Sequence, residues 1–345
     1  MGETEGGEAM TPSRRRFLAA AATGAVGFAA YRSIRAADPY AGKALIAITL
    51  DLEMSRNFPA WADTHWDYEK GNLDAAAKTY TAGVCKRVKA AGGVAHCFAV
   101  GRLFEQPDVT WLKDIAAAGH PVGNHTYDHV NVRAKKPEDI QFRFNRAPWL
   151  IDGKSPEQVI VENIKLTTAA LKSRIGVEPA GFRTPGGFSD GLADRPDVRR
   201  WLSDLGFTWV SSKYPAHPAP EAGKEPGEEY LKQIVAAQKA SQPFAYADGL
   251  IEVPMSPLSD IVAFRGGRWK LDWFLAAVRR GVEWAITNRS CFDFLAHPSC
   301  LGVIDPEYKT VQMIVDMVAK SDGRAVLVGL DAFAGRAKVG PSSAD

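Results

Sequence analysis

The chain is poor in several features that announce whole functional classes. Its formal net charge is only +2 over 345 residues, and no long run of one sign occurs beyond the N-terminus, which argues against nucleic acid or an acidic membrane surface as its partner. No internal repeat and no low-complexity segment occurs beyond the N-terminus, so a solenoid or an extended disordered protein is excluded. Cysteine is scarce, and the four present, Cys85, Cys97, Cys291 and Cys300, form no C-x-x-C pair. Cys291 and Cys300 bracket one strand candidate and its following loop, where a bridge could form; buried thiols are the commoner outcome. What is present, 46% hydrophobic and 24% charged residues, is the composition of an ordinary globular protein with ample material for a core.

The N-terminus reads as an address. Ser13-Arg14-Arg15-Arg16-Phe17-Leu18 precedes a small, apolar run from Ala19 to Tyr31, a pattern that resembles a twin-arginine export signal. The run is too short to span a bilayer comfortably. Ala36-Ala37 offers small residues for cleavage, but Ile34 and Arg35 make a poor A-x-A site, which leaves an uncleaved, membrane-tethered form open. The expected destination is the periplasm or the exterior. Residues 1–42 are thus expected to be signal and linker, residues 43–335 one folded domain, and residues 336–345 a disordered tail.

From Lys43 onward, short apolar runs alternate with helical periodicity, the pattern of repeated β-α units and a parallel sheet. The expected strands are Ala44–Leu50, Gly93–Val100, His120–Asn124, Ala180–Arg183, Thr208–Ser211, Leu250–Val253, Phe292–Ala296 and Ala325–Gly329. Helical stretches lie at Asp74–Ala90, Pro156–Arg174, Trp269–Thr287 and Pro306–Lys320. Eight strands with intervening helices point to a barrel, in which function collects at the carboxyl ends of the strands. Two connections, Val130–Ser155 and Lys213–Gly227, are longer than a barrel needs and are expected as rim loops. The first carries Phe142, Phe144 and Trp149; rim aromatics can stack on sugar rings, although covering a helix face is their commoner use.

The strand ends carry the chemistry. Thr49-Leu50-Asp51-Leu52-Glu53 closes the first with carboxylates at i and i+2, which a continued strand points to the same face. Gly123-Asn124-His125-Thr126-Tyr127-Asp128-His129 closes the third with imidazoles at i and i+4, a spacing that lets two ring nitrogens reach one cation. A chain with 7 His can yield such a pair by chance, so its value depends on a carboxylate arriving from elsewhere. Arg183-Thr184-Pro185-Gly186-Gly187 follows the fourth strand with a charge and a turn whose glycines let backbone N–H groups approach a ligand. The seventh delivers Leu295-Ala296-His297-Pro298.

Taken together, these residues resemble the polysaccharide deacetylases, the NodB-homology group of carbohydrate esterases. The resemblance runs over about Lys43 to Leu330 and follows the family's order: a T-F-D-D-G-like strand end matched loosely by Thr49 to Glu53, H-[ST]-x-x-H matched by His125, Thr126 and His129, R-x-P matched by Arg183 and Pro185, and L-x-H-P matched by Leu295, His297 and Pro298. It implies an α/β fold, a distorted (β/α) barrel with seven or eight parallel strands and its active site at their C-terminal ends. It implies Asp51 as general base, His125 and His129 as ligands of one divalent metal ion, Arg183 as the residue that orients Asp51, and His297 as general acid. Pro185, Gly186 and Gly187 are implied at the substrate. The metal would be zinc first, with cobalt, nickel or manganese as alternatives.

Two departures qualify the match. The family's second Asp falls on Leu52, so Glu53 becomes the candidate carboxylate ligand; and Gly186 stands where many relatives carry an aromatic residue. An acidic residue that tunes the acid His is sought at Asp260 or at Asp272, with Asp260 preferred because Asp272 opens a helix and is explained by that alone. The implied activity is metal-dependent hydrolysis of N-acetyl groups from an amino-sugar polymer. The alternatives are an amidohydrolase of the same fold acting on a small cyclic amide or ureide, and a catalytically impaired glycan-binding barrel.

Overall fold

Strand β1 (Ala44–Leu52) runs through the middle of the fold, and all nine of its residues are buried. Side chains alternate across a strand, and here the two faces do different work. Ala44, Ile46, Ile48, Leu50 and Leu52 pack with Val84, Val88, Val282 and Ala285 of the outer helices in the largest apolar core. Leu45 and Ala47, one residue out of phase, join Phe98 and Trp209 in a separate cluster. On that second face the strand then turns polar, at Thr49 and Asp51, both buried. The same alternation that builds the core therefore delivers Asp51 and Glu53 to one face and turns Leu52 away from them.

This architecture comes from a computed structural model that describes residues 39–54 and 70–339. The export signal expected at Ser13–Tyr31 and the last residues of the expected tail, 340–345, lie outside the described residues. Nine further strands follow β1: β2 (His96–Ala99), β3 (Val122–Asn124), β4 (Gly181–Phe188), β5 (Trp209–Lys213), β6 (Phe244–Ala245), β7 (Ile251–Glu252), β8 (Cys291–Ala296), β9 (Ala325–Leu327) and β10 (Lys338–Val339). Their order is β10-β6-β7-β5-β4-β3-β2-β1-β8, with β9 also on β1. Every pairing is parallel except β6 with β7. One edge of β1 is divided between two partners, Ala44–Ile46 pairing β9 and Thr49–Leu52 pairing β2, while its other edge pairs β8.

The result is a mostly parallel sheet curled into a half-barrel with helices around it, consistent with the expected distorted (β/α) barrel. β7 is paired on both edges, by β5 and β6, and among the described residues no strand completes the ladder on the free edge of β8, where side chains and one backbone bond make the contacts instead. Gln238 and Gln242 bond the backbone of Cys291, and Ser256 both donates its N–H to Asp293 O (3.3 Å) and accepts Asp293 N–H on its hydroxyl (3.0 Å). The four cysteines are buried thiols with no disulfide among them.

All eight expected strands are present, and their limits shift for physical reasons. β1 extends two residues beyond Leu50 because Asp51 and Leu52 pair with Phe98 and Ala99, so Asp51 sits within the strand rather than after it. β6 and β10, two residues each, were not expected; strands this short are defined by their partners rather than by any local pattern. The segment expected as a tail is ordered as far as Val339, with Lys338 pairing Phe244. The expected rim loop Val130–Ser155 contains the helix Phe142–Arg146 and buries Phe144 in a satellite core, whereas Trp149 is 71% exposed. Helix Pro156–Ile175 has clear local causes: a capping box between Ser155 and Gln158, proline in the first turn, and Gly176 in left-handed conformation at its end. Among the described residues no helix is long and apolar enough to cross a membrane.

Gly181 shows how tightly β4 and β5 pack. A Cβ there would lie 1.9 Å from the ring of Trp209, its register partner. Gly181→Ala is therefore expected to destabilise the protein by about 1–3 kcal/mol through overpacking, seen as a lower urea midpoint at unchanged slope.

Candidate active site and metal centre

At the carboxyl ends of the strands lies a cavity of about 330 Å³ lined by Asp51, Glu53, His125, His129 and His297, among others. Glu53, His125 and His129 each present one ligand atom, and the three atoms lie within 4.8 Å of one another. The loop that carries the histidines is not a helical turn. Thr126 and His129 both adopt left-handed backbone conformations, φ 60°, of a kind that costs roughly 1–3 kcal/mol per residue. Side-chain caps hold the loop: Thr126 N–H donates to Asn124 Oδ1 (2.9 Å), Val130 N–H to Thr126 Oγ1 (2.9 Å), and Asp128 N–H to Asn163 Oδ1 (2.7 Å).

The donor set passes a chemical test for a divalent cation. His125 Nδ1 lies 2.9 Å from the carbonyl oxygen of Arg183. A carbonyl only accepts, so Nδ1 carries the proton and Nε2 keeps its lone pair, the usual supporting contact for a metal-binding imidazole. Burial and the neighbouring His129 hold His125 well below the ordinary histidine range, so it is neutral. Glu53 lies well below the ordinary carboxylate range: burial pushes it up, but the neighbouring His129 and Lys70 more than compensate. Two imidazoles and an ionised carboxylate suit zinc and its neighbours and leave coordination positions open.

Asp51 and His297 stand beside that centre in contrasting surroundings. Burial raises Asp51 to about 6, against the lowering effect of Arg183 and His297. For His297 burial works downward, yet Asp260 prevails and raises it to about 9. Asp260 accepts from the His297 backbone N–H (2.7 Å) and faces His297 Nδ1 at 2.9 Å, leaving Nε2 toward the cavity, 3.4 Å from Glu53 Oε1 and 4.0 Å from Asp51 Oδ2. Of the two acidic residues weighed from sequence, the structure brings Asp260 to His297; Asp272 is exposed in the first turn of helix Leu271–Asn288.

Arg183 lies behind Asp51, fully buried. Its guanidinium donates to Asp51 Oδ1 (3.3 Å), Thr49 Oγ1 (2.9 Å) and Asp293 Oδ2 (2.5 Å), and stacks 4.4 Å over Phe98. Gly186 and Gly187 line the cavity together with Thr184, whereas Pro185 is buried and forms no part of its wall. β4 continues through this segment with a register irregularity, in place of the turn expected there.

Three residues near the site escape sequence reasoning. Asp293 is the closest partner of Arg183 and also accepts from Thr49 Oγ1 (2.8 Å). An acid inside the otherwise apolar run Phe292–Ala296 is a usable signal, since a buried strand cannot carry a charge without a partner. Lys70, 2% exposed, donates to Glu53 Oε2 at 2.5 Å, and Arg265 joins the cavity wall. Neither follows an expected strand end, and no local pattern marks them.

Residues 68–210 match the family model described as polysaccharide deacetylase. No curated protein matches the chain. Among solved structures, a Mycobacterium smegmatis protein assigned as a polysaccharide deacetylase aligns with TM-score 0.54 and 18% identity, over 85% of this chain and 90% of its own. The allantoinase Puue aligns with TM-score 0.54 and 15% identity, over 86% and 91%. A Pseudomonas aeruginosa protein also assigned as a polysaccharide deacetylase gives 0.54 and 14%, over 84% and 89%. At these identities the structural likeness establishes the fold.

Replacing Asp293 with Ala would leave the Arg183 guanidinium buried with half of its counter-charge. The expected loss is about 3–5 kcal/mol in denaturant unfolding, and a loss under about 1 kcal/mol would show that the pair is not what stabilises Arg183. Residues 68–210 are thus similar to the polysaccharide deacetylase family, and the fold is shared with the solved structures named above.

Proposed function

We propose that the protein removes N-acetyl groups from an amino-sugar polymer by hydrolysis, with one divalent cation, zinc in the first instance, held by Glu53, His125 and His129. The observation that carries this reading is the convergence on one cavity of that donor set with two titratable groups whose environments push them in useful directions, Asp51 and His297. When bound, the cation supplies Lewis acidity toward the acetamide carbonyl and the attacking water.

The chain's own residues do the rest. Asp51 accepts the proton of the attacking water as general base; its Oδ1 is fixed by Arg183, and its Oδ2 faces the centre, 3.8 Å from His125 Nε2. Backbone N–H groups near Gly186 are set beside the developing oxyanion. His297 gives its proton from Nε2 to the departing amine, while Asp260 on Nδ1 fixes the ring and keeps it charged. Acetate and a free amino sugar leave. The N-terminal signal would take this activity to the periplasm or beyond the cell, free or tethered, where peptidoglycan, chitin-like oligomers or exopolysaccharide present N-acetyl groups. The allantoinase of like fold gives reason to include a small cyclic ureide in the substrate screen.

Activity requires Asp51 ionised and His297 protonated. The rate is therefore expected to fall as pH drops through about 6 or below, the bound cation lowering this limb, and to fall again as pH rises through about 9. A rate flat across both limbs would count against the pair. Glu53→Ala is expected to lose the bound metal, seen by elemental analysis as a drop from near one per chain, together with acetate release by on the order of 100-fold or more. Full activity in that variant would sink the ligand assignment.

A further inference from the structure

The imidazole pair of the proposed centre sits on a loop with an unfavourable backbone. Thr126 and His129 are both left-handed, φ 60°, a conformation that residues with a Cβ rarely adopt, and such a loop persists only where the surrounding structure holds it. Its first half is held by the turn that follows β2, where the N–H groups of Gly101 and Arg102 donate to the carbonyl oxygens of Thr126 and Tyr127 (2.9 and 3.1 Å). Its own N–H groups at Thr126, Asp128 and Val130 go to the side-chain oxygens of Asn124, Asn163 and Thr126. These bonds fix the path as far as Asp128, and His129 is the next residue.

The side chain of Asp128 adds an anchor of another kind. Asp128 is buried, and its carboxylate accepts from the guanidinium of Arg143, with Arg102 Nε 4.0 Å away. Arg143 lies on the rim helix Phe142–Arg146, which is itself fixed: Gln141 Oε1 accepts the Arg143 N–H (2.5 Å), and Phe144 is buried in one satellite core with Val130, Val132 and Ile140. The rim connection thus leaves the histidine loop at Val130, packs against its own beginning, and returns a cation to the residue before His129. At the end of the loop His129 Nε2 meets Glu53 Oε2, and its ring lies edge-on to that of His125 with centroids 5.0 Å apart. Ligand atoms converging on one cation tolerate little displacement, about 0.2 Å in each metal–ligand distance.

We propose that Arg143 is a positioning residue of the metal centre: by clasping Asp128 from the rim helix it holds the histidine loop in its left-handed conformation and so keeps His129 in place with Glu53 and His125. This rests on the ligand assignment above. The sign of the effect separates positioning from simple electrostatics. Arg143 is a cation beside the site, so charge alone makes its removal tighten the binding of a divalent ion, whereas a positioning role makes its removal weaken it.

The test uses the full chain, with zinc as the probe in competition with a chromophoric chelator. Arg143→Gln is expected to raise the zinc dissociation constant about tenfold or more. Arg143→Lys should recover part of that loss, since it keeps the charge without the planar fork, and Arg133→Gln, which breaks an exposed rim pair with Asp194, should leave zinc affinity unchanged. Added to Asp128→Asn, Arg143→Gln should have little further effect, because the pair acts as a unit. In the zinc-free chain, hydrogen exchange at the amides of Thr126, Asp128 and Val130 should quicken at least about tenfold in Arg143→Gln while exchange in β1 stays as it is. Equal or tighter zinc binding by Arg143→Gln, or an equal loss in Arg133→Gln, overturns the inference; zinc near one per chain with acetate release then leaves the deacetylase reading standing. A wild type that takes up no zinc overturns the ligand assignment, and the exchange rates then decide the anchoring of the loop by themselves: faster exchange in Arg143→Gln sustains it, and equal exchange overturns it.

Discussion

The buried guanidinium of Arg183 is the interaction on which the rest of the site depends. An isolated charge at 0% exposure is intolerable in a protein interior, so this one has to be met by counter-charges and acceptors from other strands. Arg183 issues from β4, Thr49 and Asp51 from β1, and Asp293 from β8. Satisfying one cation thus fixes the relative register of three strands of a curled sheet. The same residue uses its backbone as well: its carbonyl oxygen selects the His125 tautomer, which ties the histidine loop after β3 to the same frame. Phe98 of β2 completes the enclosure by stacking on the guanidinium face.

From that frame follows a division of labour between groups that look interchangeable in the sequence. Asp51 and Glu53 are two residues apart on one strand face, yet burial raises one toward neutral pH while adjacent cations hold the other firmly ionised. His125 is kept neutral by burial and by His129, and His297 is kept charged by Asp260, while a carbonyl orients the first ring and a carboxylate the second. Paired groups pushed apart in this way can act as ligand and base, or ligand and acid, without competing for the same role.

How much of this is legible in the sequence depends on the distance over which each contact acts. The strands carry their own signature in short apolar runs, and strand-end position was enough to single out Asp51, His125, His129, Arg183 and His297. Period-2 alternation even accounts for Glu53 in place of Leu52, since Leu52 faces the helical layer and Glu53 the cavity. Asp293 is different. Its partner Arg183 is 110 residues away, and only the folded sheet shows why an acid is tolerated within β8. Lys70 and Arg265 come from a connection and from a single helical turn, where no periodicity constrains the residue type. β6 and β10 are equally silent, because two-residue strands have no pattern to show.

The open edge of β8 explains where variability can enter this design. A further strand would hold that edge by a backbone ladder; here the side chains of Gln238, Gln242 and Ser256 do the bridging, with one backbone bond from Ser256. The segment that crosses this edge then runs on to Asp260, which fixes His297, and to Arg265, which reaches the cavity. Backbone bonds to β5 and β8 end at Ser256, so side chains beyond it can change without breaking the sheet. The site is thus anchored where the sheet is continuous, through Arg183, while Asp260 and Arg265 reach it from outside the ladder. A half-barrel with one open edge can keep a constant centre while altering what it admits.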